Sequence, residues 1–277
     1  MGPSRVLKTA HALQRRLRRA APGLTAGLTW AIKRRQDGHA LAAVDALVGP
    51  GDAVVDAGAN WGLYAARLAH LVGRAGQVDA FEPHPGHART LQALARRRPQ
   101  LAVHATALSS AAGSAQLHVP VVGGRPVTAL ASLGAPVPGV EHEVITVSVT
   151  TLDAALAGRR PPSLVKCDVE GFELELLRGA ERTLRTERPT LLVEIEQRHQ
   201  TAPIEATFAY LSGLGYEGWF FGPRGLASLA EFDVERDQLA HLRPGVAEYG
   251  MPGGYVADFL FAGPDVDVSR LAGRRGP

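Results

Sequence analysis

The sequence has a single cysteine, few aromatic residues and no long apolar run. Because Cys167 is alone, an internal disulfide framework is excluded and a reducing compartment is favoured. No apolar segment approaches the ~20 residues that span a bilayer, and the arginine-rich N-terminus lacks the apolar centre of a signal peptide. Aromatic residues make up only 6% of the 277 positions, so the core has to be aliphatic. We therefore expect a cytoplasmic protein without a transmembrane segment.

Acidic residues are absent from positions 1–36, which carry nine basic ones. The remaining 21 basic and 27 acidic side chains give residues 37–277 a net charge of −6, which argues against nucleic-acid binding by this part. Apolar residues in "VLKTAHALQRRLRRA" recur at helical spacing. We interpret 1–36 as a basic helical extension packed on the domain edge. Contact with an acidic partner or anionic surface is the alternative.

Short β-branched runs alternate with helical patterns along most of the chain, which is typical of βαβ units. The predicted strands are 53–57, 77–82, 101–107, 164–168, 190–196, 216–221 and 255–262. The predicted helices are 62–72, 86–97, 173–185 and 203–213. The pattern predicts an α/β fold with a doubly wound, mostly parallel sheet.

One section of the predicted domain has a different composition. Residues 110–150 are rich in Gly, Pro, Val and Ala, and we expect an irregular insertion with short extended pieces. Loops at the carboxyl end of a strand often close over a substrate, so this insertion is a candidate lid. The predicted organisation is the extension 1–36, a catalytic domain over 37–263, and a C-terminal tail over 264–277.

The stretch "VVDAGANWGLYAARLAH" predicts a ligand-binding bend between a buried strand and a helix. In an open α/β sheet, ligands lie beyond the carboxyl ends of the strands. Gly58 and Gly62 would let the backbone approach a ligand closely. Asn60 stands where the dinucleotide motif G-x-G-x-x-G has a glycine, and Asp56 would repel a pyrophosphate. A ligand with an ammonium and a sulfonium, such as S-adenosylmethionine, fits this loop better.

A second acid supports a nucleoside site. Glu82 ends the second predicted strand, 20 residues beyond Gly62, which is the spacing of a carboxylate that binds ribose hydroxyls. Removal of Glu82 is expected to weaken cofactor binding with little effect on folding. The third strand ends at "HATALSS", where the backbone at Ala107 is a candidate contact for an adenine.

Several segments together resemble the FkbM family of S-adenosylmethionine-dependent methyltransferases. The resemblance covers roughly residues 40–263, and the K-x-D-V-E-G-x-E segment is its most specific part. The segments that carry it are "VVDAGANWGLYAARLA", "AFEPHP", "ALSSAAGSA", "VTTLDAAL", "VKCDVEGFELELLRGAERTL", "LLVEIE" and "YVADFLFA". The family implies a seven-stranded, Rossmann-like class I methyltransferase sheet with an antiparallel last strand. It also implies that Glu82 and the loop residues Asp56, Gly58, Asn60 and Gly62 bind the cofactor.

Members of the family mostly methylate hydroxyls of sugars and other secondary metabolites, and some act on nitrogen. A hydroxyl acceptor needs its proton removed as it attacks the methyl group. Asp168 and Glu170 are the predicted bases, with His199 third; helix capping is the alternative role for the two acids. The chain therefore resembles an O-methyltransferase that acts on a small molecule, with N-methylation as the alternative.

Two further alternatives concern a bound metal ion and the class of protein. The predicted site has no metal; if Mg²⁺ is present, Asp168, Glu194 and Glu196 would bind it through oxygen atoms. Cys167 is expected to be a buried small hydrophobe rather than a nucleophile. A nicotinamide oxidoreductase would need the glycine that this loop lacks. A non-catalytic surface-binding protein is favoured only by residues 1–36.

Overall fold

The computed structural model of the chain describes residues 38–134, 136, 139–223, 225–242 and 254–271. The predicted basic extension over 1–36 lies outside the described residues, as do positions 272–277 of the predicted tail. Within the described ranges, no helix has the length and apolar character needed to cross a membrane.

Helices and strands alternate through the first half of the described chain. The helices are α1 Gly38–Leu47, α2 Leu63–Leu71, α3 Pro85–Ala95, α4 Leu152–Ala155, α5 Glu173–Arg178, α6 Glu181–Thr186, α7 Glu205–Gly213 and α8 Val234–Asp237. The strands are β1 Ala53–Ala57, β2 Gln77–Phe81, β3 Leu101–His104, β4 Ala107–Leu108, β5 Gly113–Val122, β6 Arg125–Pro126, β7 Glu141–Thr150, β8 Leu164–Cys167, β9 Thr190–Glu194, β10 Glu217–Gly222, β11 Gly225–Ser228 and β12 Asp258–Ala262.

The main sheet has eight strands in the order β11-β10-β12-β9-β8-β1-β2-β3. Strands β9, β8, β1, β2 and β3 are parallel, and β12 is antiparallel to both of its neighbours, β9 and β10. The predicted doubly wound, mostly parallel sheet with an antiparallel last strand is confirmed. An eighth strand, β11, extends the predicted seven because the chain turns back after β10 and pairs with it.

Helices cover both faces of the main sheet, so its central strands are buried on both sides. All five residues of β1 are buried, as expected for a parallel strand between two helical layers. Alternate β1 residues enter different cores: Val54 packs with α1, α2 and α3, whereas Val55 packs with α5, α6 and α7. Cys167 lies in the second core and is fully buried, as predicted, and burial raises the pKa of its thiol.

The expectation of an irregular segment over 110–150 is wrong. Two ten-residue antiparallel strands, β5 and β7, form most of a second sheet with the order β4-β7-β5-β6. This sheet has its own small core, which includes Leu117, Val119 and Val147. The Gly- and Pro-rich composition belongs largely to the connection between these strands, and it concealed their alternating pattern.

Two predicted elements are divided by the tertiary structure. The predicted strand 101–107 becomes β3 in the main sheet and β4 in the second sheet, so the chain passes between sheets at residues 105–106. The predicted helix 173–185 becomes α5 and α6, with a break at Gly179. A Cβ atom at Gly179 would lie 1.9 Å from the carbonyl oxygen of Ser109, so this position needs glycine for close backbone packing.

Candidate active site

The loop after β1 has a left-handed backbone at Gly58, Asn60 and Gly62. The amides of Gly58 and Ala59 both donate to the carbonyl of Phe81, which ties the loop to the end of β2. A Cβ atom at Gly58 would lie 1.7 Å from the backbone oxygen of Asp168. Gly58 is therefore required by packing between two loops, which is a different reason from the predicted approach to a ligand.

Asp56 lies inside β1 and is fully buried. Its Oδ1 is 3.7 Å from Nζ of Lys166, and neither of its oxygens accepts a hydrogen bond from the described residues. Burial raises the pKa of Asp56 to about 6, although the Lys166 charge opposes the rise. The Ala65 amide lowers this pKa slightly without reaching hydrogen-bond geometry. Asp56 thus faces a cation of the protein itself.

Lys166 connects Asp56 to Asp168. Its Nζ donates to Oδ2 of Asp168 at 2.9 Å and lies 4.7 Å from the centre of the Tyr64 ring. Burial disfavours the charged form of Lys166, but the neighbouring carboxylates of Asp168 and Asp56 hold its pKa above the ordinary value. Sequence reasoning assigned Lys166 no role. The available signal was its place near the end of β8, two residues before Asp168.

Glu82 braces the loop after β1. Its Oε2 accepts a hydrogen bond from the Asn60 amide at 2.8 Å, and its Oε1 accepts one from the His84 amide at 2.7 Å. Each carboxylate oxygen retains further acceptor capacity. These bonds correct the expectation that Glu82 has little to do with folding, because its loss would leave two backbone amides without their acceptor.

A cavity of about 600 Å³ opens at the carboxyl ends of β1, β2 and β8. This large cavity is lined by Ala57, Gly58, Asn60, Phe81, Glu82, Pro83, Thr106, Ala107, Leu108, Leu117, Thr128, Ala129, Ala131, Leu133, Asp168, Val169, Glu170 and Phe172. It lies at the edge of the sheet where ligands of open α/β folds bind. Three lining side chains are acidic, and none of those named is Lys, Arg or His.

The large cavity brings together most of the predicted site residues. Gly58, Asn60, Glu82, Ala107, Asp168 and Glu170 all line it, from four separate segments of the chain. Asp56, Gly62 and His199 are not among its lining residues. Gly62 packs against α3 instead, since a Cβ atom there would lie 2.9 Å from Cδ2 of Leu91.

Sequence reasoning missed the contribution of the second sheet to this cavity. Leu117 comes from β5, and Thr128, Ala129, Ala131 and Leu133 come from the connection between β6 and β7. These are mostly small or aliphatic side chains, so the second sheet and its β6–β7 connection supply an apolar part of the cavity wall. That residues 110–150 act as a lid over a bound ligand stays a prediction.

Beside the large cavity lies a second one of about 170 Å³, which we call the acidic cavity. It is lined by Asp168, Glu170, Gly171, Glu173, Glu194, Glu196 and His199, so Asp168 and Glu170 are shared by both cavities. Both Glu194 and Glu196 point into it, as their alternation predicts. The charge of Asp168, together with burial, holds the pKa of Glu194 well above its ordinary value.

Glu170 and His199 form an ion pair in the acidic cavity, with Oε2 and Nδ1 2.6 Å apart. Burial raises the pKa of Glu170 although His199 opposes the rise. Burial would lower the pKa of His199, but its bond with Glu170 leaves that pKa above the ordinary value. Glu170 also has a left-handed backbone, with φ 52°, a conformation that costs energy in a residue with a Cβ atom.

One group of side chains has the spacing of a metal site. Ligand atoms of Glu170, Glu196 and His199 lie within 4.8 Å of one another, a set that differs from the predicted Asp168, Glu194 and Glu196. Each acid in this group already has a counter-ion: Glu170 pairs with His199, and Glu196 pairs with Arg198 at 2.8 Å. Charge balance in this group is therefore achieved by the protein's own side chains.

Comparison with known proteins gives one family and several distant structures. A family model described as the methyltransferase FkbM domain matches residues 56–217, more than half of the chain. No curated protein matches the chain. A methyltransferase FkbM structure from Methylobacillus flagellatus KT is 18% identical, with a TM-score of 0.48 over 76% of this chain and 43% of that one.

Two further solved structures are similar at lower scores. A SAM-dependent O-methyltransferase from Thermotoga maritima is 13% identical, with a TM-score of 0.42 over 81% of this chain and 64% of that chain. Fibrillarin from Aeropyrum pernix, solved with natively bound S-adenosyl-L-methionine, is 13% identical, with a TM-score of 0.42 over 78% of this chain and 68% of that chain. This chain thus spans less than two thirds of the Methylobacillus and Thermotoga chains.

Proposed function

The chain belongs to the methyltransferase FkbM family, and on that premise we propose that it transfers a methyl group from S-adenosylmethionine to a hydroxyl of a small molecule. The observation that carries this proposal is the large cavity. It joins the acid after β2, the loop after β1 and the Asp168–Glu170 loop at one edge of a doubly wound sheet.

The charge and shape of the large cavity support a cationic nucleoside ligand. S-adenosylmethionine would supply a methyl group on a positively charged sulfur. Glu82, Asp168 and Glu170 are the charged side chains among its lining residues, and all three are acidic. Glu82 can accept hydrogen bonds from ribose hydroxyls with the acceptor capacity left by its two backbone amides. Ala107 and Leu108 supply a backbone edge and an apolar surface for an adenine.

The same charges argue against a dinucleotide. A pyrophosphate binds to bare amides at a helix N-terminus, away from carboxylates. Here the Asn60 amide already donates its hydrogen bond to Glu82. The backbone of Asp168 packs directly against Gly58. A nicotinamide cofactor would bring its phosphates next to these two carboxylates. The electrostatic argument therefore favours S-adenosylmethionine over NAD.

Asp168 is the proposed base for the acceptor hydroxyl. Nζ of Lys166 donates a hydrogen bond to Oδ2 of Asp168. The Asp168 side chain is 24% exposed and lines the large cavity. A carboxylate fixed in this way can orient a hydroxyl and take its proton as the new bond forms. The ion pair of Glu170 and His199 lies next to it and is the proposed route by which that proton leaves. No metal step is proposed, because Arg198 and His199 already neutralise Glu196 and Glu170.

Binding experiments test the cofactor part of the proposal. Calorimetry is expected to show binding of S-adenosylmethionine and S-adenosylhomocysteine, and weak or no binding of NAD. Tight NAD binding without S-adenosylmethionine binding would favour the oxidoreductase instead. A mass-spectrometric screen of candidate hydroxyl and amine metabolites, each scored for the gain of one CH₂, would identify the acceptor and separate O- from N-methylation.

Removal of residues 1–36 tests the role of the basic extension. Methyl transfer by the truncated chain would show that catalysis resides in 37–277. Loss of surface or acidic-partner binding without loss of catalysis would identify the extension as an anchor. We further propose a cytoplasmic location, supported by the single, buried Cys167. A role in secondary metabolism is proposed from the family resemblance.

A further inference from the structure

Residues 128–133 form part of the wall of the large cavity, and we call them the crossbar. Thr128, Ala129, Ala131 and Leu133 line the cavity. The crossbar is held to the second sheet by two backbone hydrogen bonds between Ser132 and His118, at 2.8 and 3.1 Å. It is therefore a short segment that is anchored to the second sheet and lines the proposed ligand site.

One end of the crossbar contacts a buried histidine of α3. Oγ1 of Thr128 lies 2.9 Å from Nε2 of His87, a residue that is 1% exposed. The other ring nitrogen, Nδ1, is 3.6 Å from Oε1 of Glu82, which is an electrostatic contact rather than a hydrogen bond. The His87 ring also packs on Trp61, with the ring centres 3.9 Å apart.

The other end of the crossbar contacts the loop of the proposed base. Oγ of Ser132 donates to the backbone carbonyl of Glu170 at 2.5 Å. Glu170 is the residue with the left-handed backbone, so this bond helps to hold a conformation that is unfavourable by itself. The crossbar thus joins the cofactor side of the cavity, through His87, to the catalytic side, through Glu170.

We propose that His87 is a positioning residue that couples cofactor binding to the placement of the crossbar. The inference rests on the proposed function, since Glu82 is the proposed ribose ligand. One imidazole contacts three separate elements around the cavity: the loop after β1 through Trp61, the acid Glu82, and Thr128. The Glu82 carboxylate is already held by two backbone amides. Ribose hydroxyls bound to it would adjust its position, and His87 would transmit that adjustment to Thr128. Coupling of this kind is reciprocal, so a displaced crossbar weakens cofactor binding.

The test uses S-adenosylhomocysteine as the ligand and the full-length protein. Thr128→Val removes the hydroxyl, and Thr128→Ser retains it. Loss of one neutral hydrogen bond predicts about 2- to 10-fold weaker binding for Thr128→Val, with wild-type affinity for Thr128→Ser. His87→Leu is expected to weaken binding at least as much. The double variant is expected to be no weaker than His87→Leu alone, because the two residues act through one contact.

Two further measurements separate positioning from a general loss of stability. Thr90→Val is the matched control: its hydroxyl donates to the Gly86 carbonyl on the same helix, so it is expected to lower the melting temperature without changing affinity. Amide hydrogen exchange of the crossbar is expected to slow when S-adenosylhomocysteine binds the wild type, and to stay unchanged in His87→Leu.

The proposal would be overturned by unchanged affinity in Thr128→Val, by additive effects in the double variant, or by equal ligand-induced protection of the crossbar in His87→Leu and wild type. A wild-type chain that binds neither S-adenosylmethionine nor S-adenosylhomocysteine would overturn the proposed function itself, and this inference with it.

Discussion

Lys166 and Asp168 form an ion pair at the carboxyl edge of the main sheet, with Nζ 2.9 Å from Oδ2. Asp168 is not the N-cap of α5: that position is Phe172, and no side-chain cap is made there. Asp168 is instead an anion held in place by a buried cation and directed toward the large cavity. Its role as the base stays a proposal. Four predictions follow from this and related contacts.

Asp168→Asn is expected to lower kcat roughly 10²–10⁴-fold, because the amide keeps the shape of the side chain but cannot accept the hydroxyl proton. Affinity for S-adenosylhomocysteine should change little, since Glu82 and the loop after β1 are the proposed cofactor ligands. Single-turnover methyl transfer and calorimetry measure the two effects. Glu181→Gln, an exposed acid on α6, is the matched control and should match the wild type. A near-normal kcat in Asp168→Asn would transfer the role of base to Glu170 or His199.

Glu82→Gln is expected to weaken S-adenosylhomocysteine binding by about 1.5–3 kcal/mol, the range for hydrogen bonds to charged groups. It should also lower the melting temperature. Glu82 accepts hydrogen bonds from two backbone amides, and in the variant one of these amides would face the NH₂ group of Gln, which cannot accept. Calorimetry and thermal unfolding together check the result. Unchanged affinity with a lower melting temperature would leave Glu82 as a loop brace alone.

Gly58→Ala is expected to destabilise the protein more than Gly51→Ala does. Both glycines have positive φ, at 77° and 91°, so both substitutions carry the left-handed strain. Only at Gly58 would the new Cβ atom meet another backbone, at 1.7 Å from the oxygen of Asp168, whereas nothing lies within 4 Å at Gly51. The difference in unfolding free energy should be about 1–3 kcal/mol, the usual cost of overpacking. Equal losses of unfolding free energy in the two variants, measured by denaturant unfolding, would show that the loops of Gly58 and Asp168 can move apart.

Glu173 predicts a pH dependence of stability. Burial raises its pKa from 4.5 to about 7 in the folded protein. The folded state therefore binds more protons than the unfolded state between these values, and stability falls as the pH rises through this window. The slope from this group is at most about 1.4 kcal/mol per pH unit. Glu173→Gln cannot titrate, so its melting temperature should change less between pH 5 and 8. Parallel profiles for the two proteins would contradict the assignment.

The positions of most central elements and the mostly parallel character of the main sheet could be predicted from the sequence. Strand β1 has the predicted bounds, because a short apolar run with β-branched residues, ended by a glycine bend, favours a buried strand. The second sheet was not predicted, since its strands pair with one another and with β4 rather than with the main sheet. Composition was a misleading signal there, because most of the Gly and Pro residues lie in the connection between β5 and β7 and not in the strands.

For the site, the sequence by itself determined which chemical groups stand at strand ends: Glu82 after β2, and Asp168 and Glu170 after β8. Parallel strands carry such residues to one edge whatever the details of packing. Only the tertiary structure decided their partners, since contacts between Asp56 and Lys166, or between Thr128 and His87, depend on the register of neighbouring strands and on the docking of the second sheet. Such distances arise from packing between distant segments, and no local pattern encodes them.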